Sequence, residues 1–166
     1  MRRAAPLLLL AALGGCVPVM VPMGAATVAT TGGTPVPAAT LEREMHQLVN
    51  QHRARRGLPA LQYDERVAEI AREHSAAMAS RARPFGHAGF DQRGAAIGRF
   101  LPYRGLAENV AYDGRGGANL SSLVVEGWIG SAAHRQNIEG AYEVTGIGVA
   151  RDRQGVAYAT QIFVRR

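Results

Sequence analysis

Trp128-Ile-Gly-Ser-Ala-Ala-His-Arg-Gln-Asn-Ile138 follows a helical run that ends at Glu126. The stretch sets a Trp, a His, an Arg and an Asn close together. An apolar segment that stops on such a cluster places it at a rim, because unpaired polar groups are costly in a core. Two earlier fragments look like its partners, Phe85-Gly-His87 and Ala107-Glu-Asn109. Each puts one titratable residue beside a Gly or Asn, where backbone turns sharply. The rest of the chain reads as the scaffold that brings the three together.

Working outward, Asn119 or Ser121 caps a helix that carries Leu120, Leu123, Val124, Gly127 and Trp128 into the opening stretch. Upstream, Thr40 is the expected N-cap of a helix with Leu41, Met45, Leu48, Val49 and His52 on one face, stopped at Gly57. His46 and His52 read as face residues. Asp64 caps a second helix with Val67, Ile70, Ala71, His74, Ala77 and Met78 apolar or inward. His74 is read as packed between helices and hydrogen-bonded, in preference to binding a metal. Pro84 ends that helix, so His87 falls in irregular backbone. Asp91 to Leu101 is a weak helix, and Leu106 to Tyr112 alternates as a short strand after Gly105. The tail holds two strand-like runs, Tyr142–Ala150 and Val156–Val164, around the turn Asp152-Arg-Gln-Gly155: a terminal hairpin. Helices before, between and above a few strands imply a layered domain of mixed α and β with an antiparallel sheet.

The chain has 166 residues, enough for one domain, and nearly half of them are apolar. Every basic side chain is Arg. The formal charge of +6 falls to +4 when Arg2 and Arg3 are set aside as part of a removed segment. The arginines are scattered without interleaved aromatics, which argues for a solvated surface and against nucleic acid. Residues 1–16 join a basic start to a short apolar run ending Leu13-Gly14-Gly15-Cys16, a secretory signal of lipobox form. Cys16 is then the expected site of lipid attachment. It is the single Cys, so no intramolecular disulfide is possible. An ordinary signal peptide with an incidental Cys is the bland alternative. A spanning helix is disfavoured by Gly14, Gly15, Pro18 and Pro22. Residues 17–40 have no period and read as a flexible tether, leaving 41–166 as the domain. The expected location is extracytoplasmic, secreted or anchored to a membrane through that lipid.

Several pieces then occur in a telling order: Asn50-Gln-His-Arg53, Gly57-Leu-Pro-Ala-Leu61, Ala71-Arg-Glu-His-Ser75, His87-Ala-Gly-Phe-Asp-Gln-Arg93, Ala107-Glu-Asn-Val-Ala111, Trp128-Ile-Gly-Ser131, His134-Arg-Gln-Asn-Ile138 and Gly146-Ile-Gly148. Together they resemble the CAP superfamily, or SCP-like domains, over about Leu41 to Arg166. The resemblance implies an α+β fold, a three-layer α-β-α sandwich with a central antiparallel sheet. It also implies a cleft with two His and usually two Glu, in which the His pair can bind a divalent metal, often zinc. The His positions fall on His87 and His134, and the first Glu on Glu108. At the second Glu position of many members this chain has Ser131; Glu126 lies one helical turn away.

Two imidazoles and a carboxylate can hold Zn²⁺ with open positions for water, and Glu108 would then orient that water or take its proton. The structural alternative is that His87, Glu108 and His134 only hydrogen-bond across the cleft. Ser131 and His134 lack an Asp or an oxyanion hole, so Ser131 reads as a cap or packing residue. The amides of Asn109 and Asn137 are expected on backbone groups, and Arg135 on an anion or in a salt bridge. Trp128 is core. The reading taken forward is a cell-envelope binding module for a small ligand, lipid or envelope component. A zinc-dependent hydrolase using the same cleft and an envelope scaffold with a vestigial cleft are its alternatives.

Overall fold

The computed structural model describes residues 35–114, 117 and 119–166. The signal segment with Cys16, and the tether as far as residue 34, lie outside the described residues.

The elements run α1 (Ala38–Arg55), β1 (Gln62–Tyr63), α2 (Glu65–Ala79), α3 (Phe90–Gly98), β2 (Gly105–Asp113), α4 (Leu120–Gly130), α5 (Ala132–Glu139), β3 (Val144–Arg151) and β4 (Ala157–Arg165). The sheet order is β1-β3-β4-β2. β3 and β4 form the expected hairpin, and β2 pairs antiparallel with the far side of β4. The antiparallel sheet carries one exception, short β1, which runs parallel to β3. Two residues are too few for alternation to show in the sequence.

Strand alternation divides the core in two. On one face Ile147, Val149, Ala159 and Phe163 pack with Leu41, Met45, Leu120 and Trp128 from α1 and α4. On the other, Val144, Ile162 and Val164 pack with Val67, Ala71 and Ile97 from α2 and α3. This is the α-β-α sandwich. The close approach of α2 depends on Gly146 and Gly148, where an added Cβ would run into the α2 backbone at Ala68 and Arg72. Ser75 then reaches across and donates to the Gly148 carbonyl at 2.9 Å.

Asp64 caps α2 as expected, accepting from the N–H groups of Arg66 and Val67. Thr40 does not cap α1. The helix opens at Ala38 behind Pro37, whose fixed φ of −57° suits a helix entry, and the Thr40 N–H donates to the Pro37 carbonyl. Ser121 does not cap α4 either, but donates to Glu44 at 2.8 Å and ties α4 to α1. His52 is 8% exposed and bonded to Glu139, so it packs on the apolar face of α1 where its spacing puts it.

Arg53 is the main polar fastener of this layer. It is 1% exposed, and its guanidinium donates to the carbonyls of Pro59, Ile138, Gly140 and Tyr142, with no carboxylate among them. Lysine has three donors on one nitrogen and cannot span that set. Arg53→Lys is expected to cost about 2 kcal/mol or more in chemical denaturation, since it leaves buried carbonyls unpaired. An unchanged midpoint would show that solvent serves those carbonyls instead.

Candidate functional site

The site is built along β2, the edge strand of the sheet. Side chains alternate there, so Glu108 faces the α2–α3 layer while Asn109 faces α4 and α5. An exposed strand edge offers unpaired carbonyls, and here two of them are already taken. Trp128 Nε1 donates to the Val110 carbonyl at 3.2 Å, and Asn137 Nδ2 donates to the Glu108 carbonyl at 3.3 Å. Asn137 also donates to Asn109 Oδ1 at 2.9 Å, and Asn109 in turn donates to the His134 carbonyl at 3.1 Å. The asparagines thus bind α5 to β2, and the backbone role expected of them is the one they have.

Glu108 is 6% exposed and both of its carboxylate oxygens accept hydrogen bonds. Arg93 of α3 grips it with two parallel bonds of 2.7 Å, from Nε to Oε2 and from Nη2 to Oε1. His87 adds a third, Nδ1 to Oε1 at 2.9 Å. The carboxylate can only accept, so Nδ1 of His87 carries the proton and Nε2 points elsewhere. A second histidine completes the network. His74 Nε2 lies 2.8 Å from the Gly86 carbonyl, and Arg93 Nη1 lies 3.2 Å from His74 Nδ1. A carbonyl only accepts and a guanidinium only donates, so His74 is the neutral Nε2–H form. Its 3.9 Å approach to Glu108 is therefore not an ion pair.

His134 belongs to the opposite layer. Its ring lines a cavity of about 370 Å³ with Phe85, Val110, Tyr112, Trp128 and Ser131. His87 and Glu108 line a neighbouring cavity of about 290 Å³ with Phe90 and Asn137. The two imidazoles feel each other electrostatically, because the charge of His87 lowers the affinity of His134 for a proton. His87, Glu108 and Asn109 therefore gather at the middle of β2, with His134 across the strand edge. Ser131 joins the apolar cavity between α4 and α5 and makes no side-chain cap. Glu126 is exposed on α4 and lines neither cavity. Arg135 donates from Nη1 to the Ile129 carbonyl at 2.9 Å.

Sequence reasoning missed Arg93. Its signal was present: it stands four residues before buried Ile97, on the inward face of a weak helix. A charged side chain at a core position needs a buried partner, and Glu108 is that partner.

Burial pushes His74 below the ordinary imidazole range; the Gly86 carbonyl opposes this and the Arg93 charge reinforces it. Burial does the same to His134, with His87 as the second cause. Both rings bind a proton more readily in the unfolded chain. Their contribution is complete above the unfolded imidazole value of about 6.5 and is lost as pH falls below it, through the lowered folded values. Urea midpoints measured near pH 7.5 and pH 5.5 are expected to fall at the lower pH, less so in His134→Gln. An equal fall in wild type and variant would show that His134 titrates freely.

The donor set also bears on a metal. A catalytic zinc is commonly held by three protein ligands. With Glu108 spent on Arg93 and His87, the cleft offers two imidazoles, and among the described residues no group of three or more His, Cys, Asp or Glu is placed to hold a metal ion. The residues do not fit a three-ligand zinc centre.

This architecture and site define an SCP-like domain. The family model described as CAP, the cysteine-rich secretory protein family, matches residues 46–163, and the chain belongs to that family. An uncharacterized membrane protein of Bacillus subtilis (strain 168), YlbC, is 31% identical over 131 residues, covering 76% of this chain. The chain spans 35% of that relative's length. An extracellular SCP-domain protein of Bacillus anthracis is 25% identical with a TM-score of 0.64, over 81% of this chain and 45% of its own. An outer surface protein of Borrelia burgdorferi shares the fold, with a TM-score of 0.65 at 17% identity over 81% of this chain and 98% of its own.

Proposed function

We propose that the chain is a CAP-domain binding module of the bacterial cell envelope, which takes a small amphipathic ligand in the cleft along β2 without turning it over. The observation that carries this is the state of Glu108. A general base needs a free lone pair within reach of the proton it takes; three of the about four acceptor positions of the Glu108 carboxylate are filled by Arg93 and His87, and its side chain is 2% exposed. What remains for a ligand is an apolar wall of Val110, Tyr112 and Trp128 with one imidazole, His134, at its end. That is the composition of a site that binds: mostly apolar lining with a few polar groups that fix orientation.

A divalent ion taken up here would be held by His87 and His134, with Glu108 behind His87 as its orienting partner. Two ligands give weak retention. Metal analysis after purification without chelator is expected to find well under one equivalent. A full equivalent that survives gel filtration and is lost in His87→Ala/His134→Ala would contradict this.

An extracytoplasmic location is supported by the lipobox-like Leu13-Gly14-Gly15-Cys16, by the extracellular B. anthracis protein and by a relative named as a membrane protein. Among the described residues no helix is long and apolar enough to cross a membrane. Lipid on Cys16 would hold the chain at a membrane, and detergent partitioning lost in Cys16→Ser tests it.

Trp128 is the single Trp and lines the cleft, so its fluorescence reports occupancy. Titration with envelope lipid and glycan fragments is expected to give a saturable change that Tyr112→Ala and His134→Ala weaken, with the ligand recovered intact. Hydrolysis of an ester or peptide library that His134→Ala abolishes would overturn the binding-module reading in favour of an enzyme.

A further inference from the structure

Scattered along the sequence, Arg81, Arg151 and Arg153 come together in the fold. They line one concave pocket of about 490 Å³, between the C-terminal end of α2 and the β3–β4 turn. None of the cleft residues lines it. Gathering three guanidinium groups costs repulsion unless an anion offsets it, and here little does. The one acid lining the pocket is Asp152. Its Oδ1 accepts from the N–H groups of Gln154 and Val156 and shapes the turn.

The guanidinium groups of Arg81 and Arg153 make no hydrogen bond or ion pair with any described residue, and that of Arg151 gives a single bond, to the Gly155 carbonyl at 3.2 Å. Arginines set against acids in this fold are neutralised. Arg72 binds Glu42, Glu65 and Glu69, and Arg93 binds Glu108. Ser80, also in the lining, spends its hydroxyl on the Ala76 carbonyl. The pocket therefore presents donors and positive charge with almost nothing to accept.

The backbone adds a second observation. Arg81 has φ of 61°, and it is the non-glycine residue with positive φ among the described residues. The helix ends at Ala79, and position 81 is where glycine commonly supplies this left-handed turn. A side chain there carries a steric cost, which glycine would avoid while losing the guanidinium.

We infer that this Arg81–Arg151–Arg153 pocket binds a phosphate group. Guanidinium forks match phosphate oxygens bidentately, and convergent forks select that geometry over a halide or a single carboxylate. The phosphate can be free or carried on a lipid headgroup, and the test separates these. Calorimetric titration of the protein with inorganic pyrophosphate at low salt is expected to show binding that weakens about tenfold or more in Arg81→Ala/Arg151→Ala/Arg153→Ala. Sedimentation with phosphatidylglycerol vesicles, against phosphatidylcholine controls, reads the lipid source. Recruitment by the anionic vesicles alone, lost in the triple variant and displaced by pyrophosphate, assigns the site to a headgroup. Pyrophosphate binding without recruitment assigns it to a soluble phosphate. If the triple variant fails to fold, Arg153→Ala in the exposed turn takes its place. Wild-type protein that binds neither probe, or a variant that binds both as wild type does, overturns the inference.

Discussion

Arg93→Ala is expected to destabilise the protein by about 3–5 kcal/mol, because it strands a buried carboxylate. Glu108 is 2% exposed at its side chain, and the guanidinium within bonding reach of it is that of Arg93. The loss should therefore be strongly dependent on partner identity. Arg93→Met with Glu108→Gln removes both charges and keeps the volume, and it is expected to recover much of the stability. Denaturation curves of the two single variants and the double variant give the coupling directly. A coupling near zero would mean that Arg93 and Glu108 do not rely on each other.

Gly148→Ala is expected to cost about 3 kcal/mol or more. The new methyl would meet the backbone of α2 at Ala71 and Arg72, and backbone cannot swing aside as a side chain can. Relief would require α2 to lift from β3 and β4, opening the core around Val67, Ala71 and Ile162. Gly127→Ala is the control, since a Cβ there meets nothing. Gly127→Ala is expected to be neutral or slightly stabilising in a helix interior. Equal effects at both positions, read as shifts in thermal midpoint, would remove close approach as the reason for Gly146-Ile-Gly148.

The contrast between these residues shows what the sequence discloses. Gly146 and Gly148 stand out within an apolar strand, and the hairpin, the Asp64 cap and the Trp128 anchor all follow from local chemistry. The layering follows as well, since alternating strands between amphipathic helices leave few other solutions. Short β1 does not, because its pairing with β3 is bought by a partner eighty residues away and not by its own pattern. Helix α5 is likewise hidden: it is short, polar and held by the asparagines, so its apolar period is too weak to read.

The site is legible in part for the same reason. His87, Glu108 and His134 carry titratable groups that the family resemblance points to. Their division between two cavities depends on which face of β2 each neighbour occupies, and that is set by long-range register. Arg93 and His74 turn a three-residue cluster into a closed network. Neither shows its role until α3 and α2 are laid against β2. Arg53 repeats the lesson on the other layer, where a charge in the α1 sequence becomes a cap for four distant carbonyls.

Everything proposed for the cleft depends on the closed state of Glu108, and the histidine tautomers report it. Long-range proton–nitrogen correlation spectra recorded near pH 8, above the ordinary imidazole value of about 6.5, distinguish the two neutral forms of each ring. The expected result is Nε2–H for His74 and Nδ1–H for His87, the latter lost in Glu108→Gln. Nε2–H at His87, or a His87 spectrum indifferent to Glu108, would contradict the account, because the carboxylate would then be free to act on a ligand.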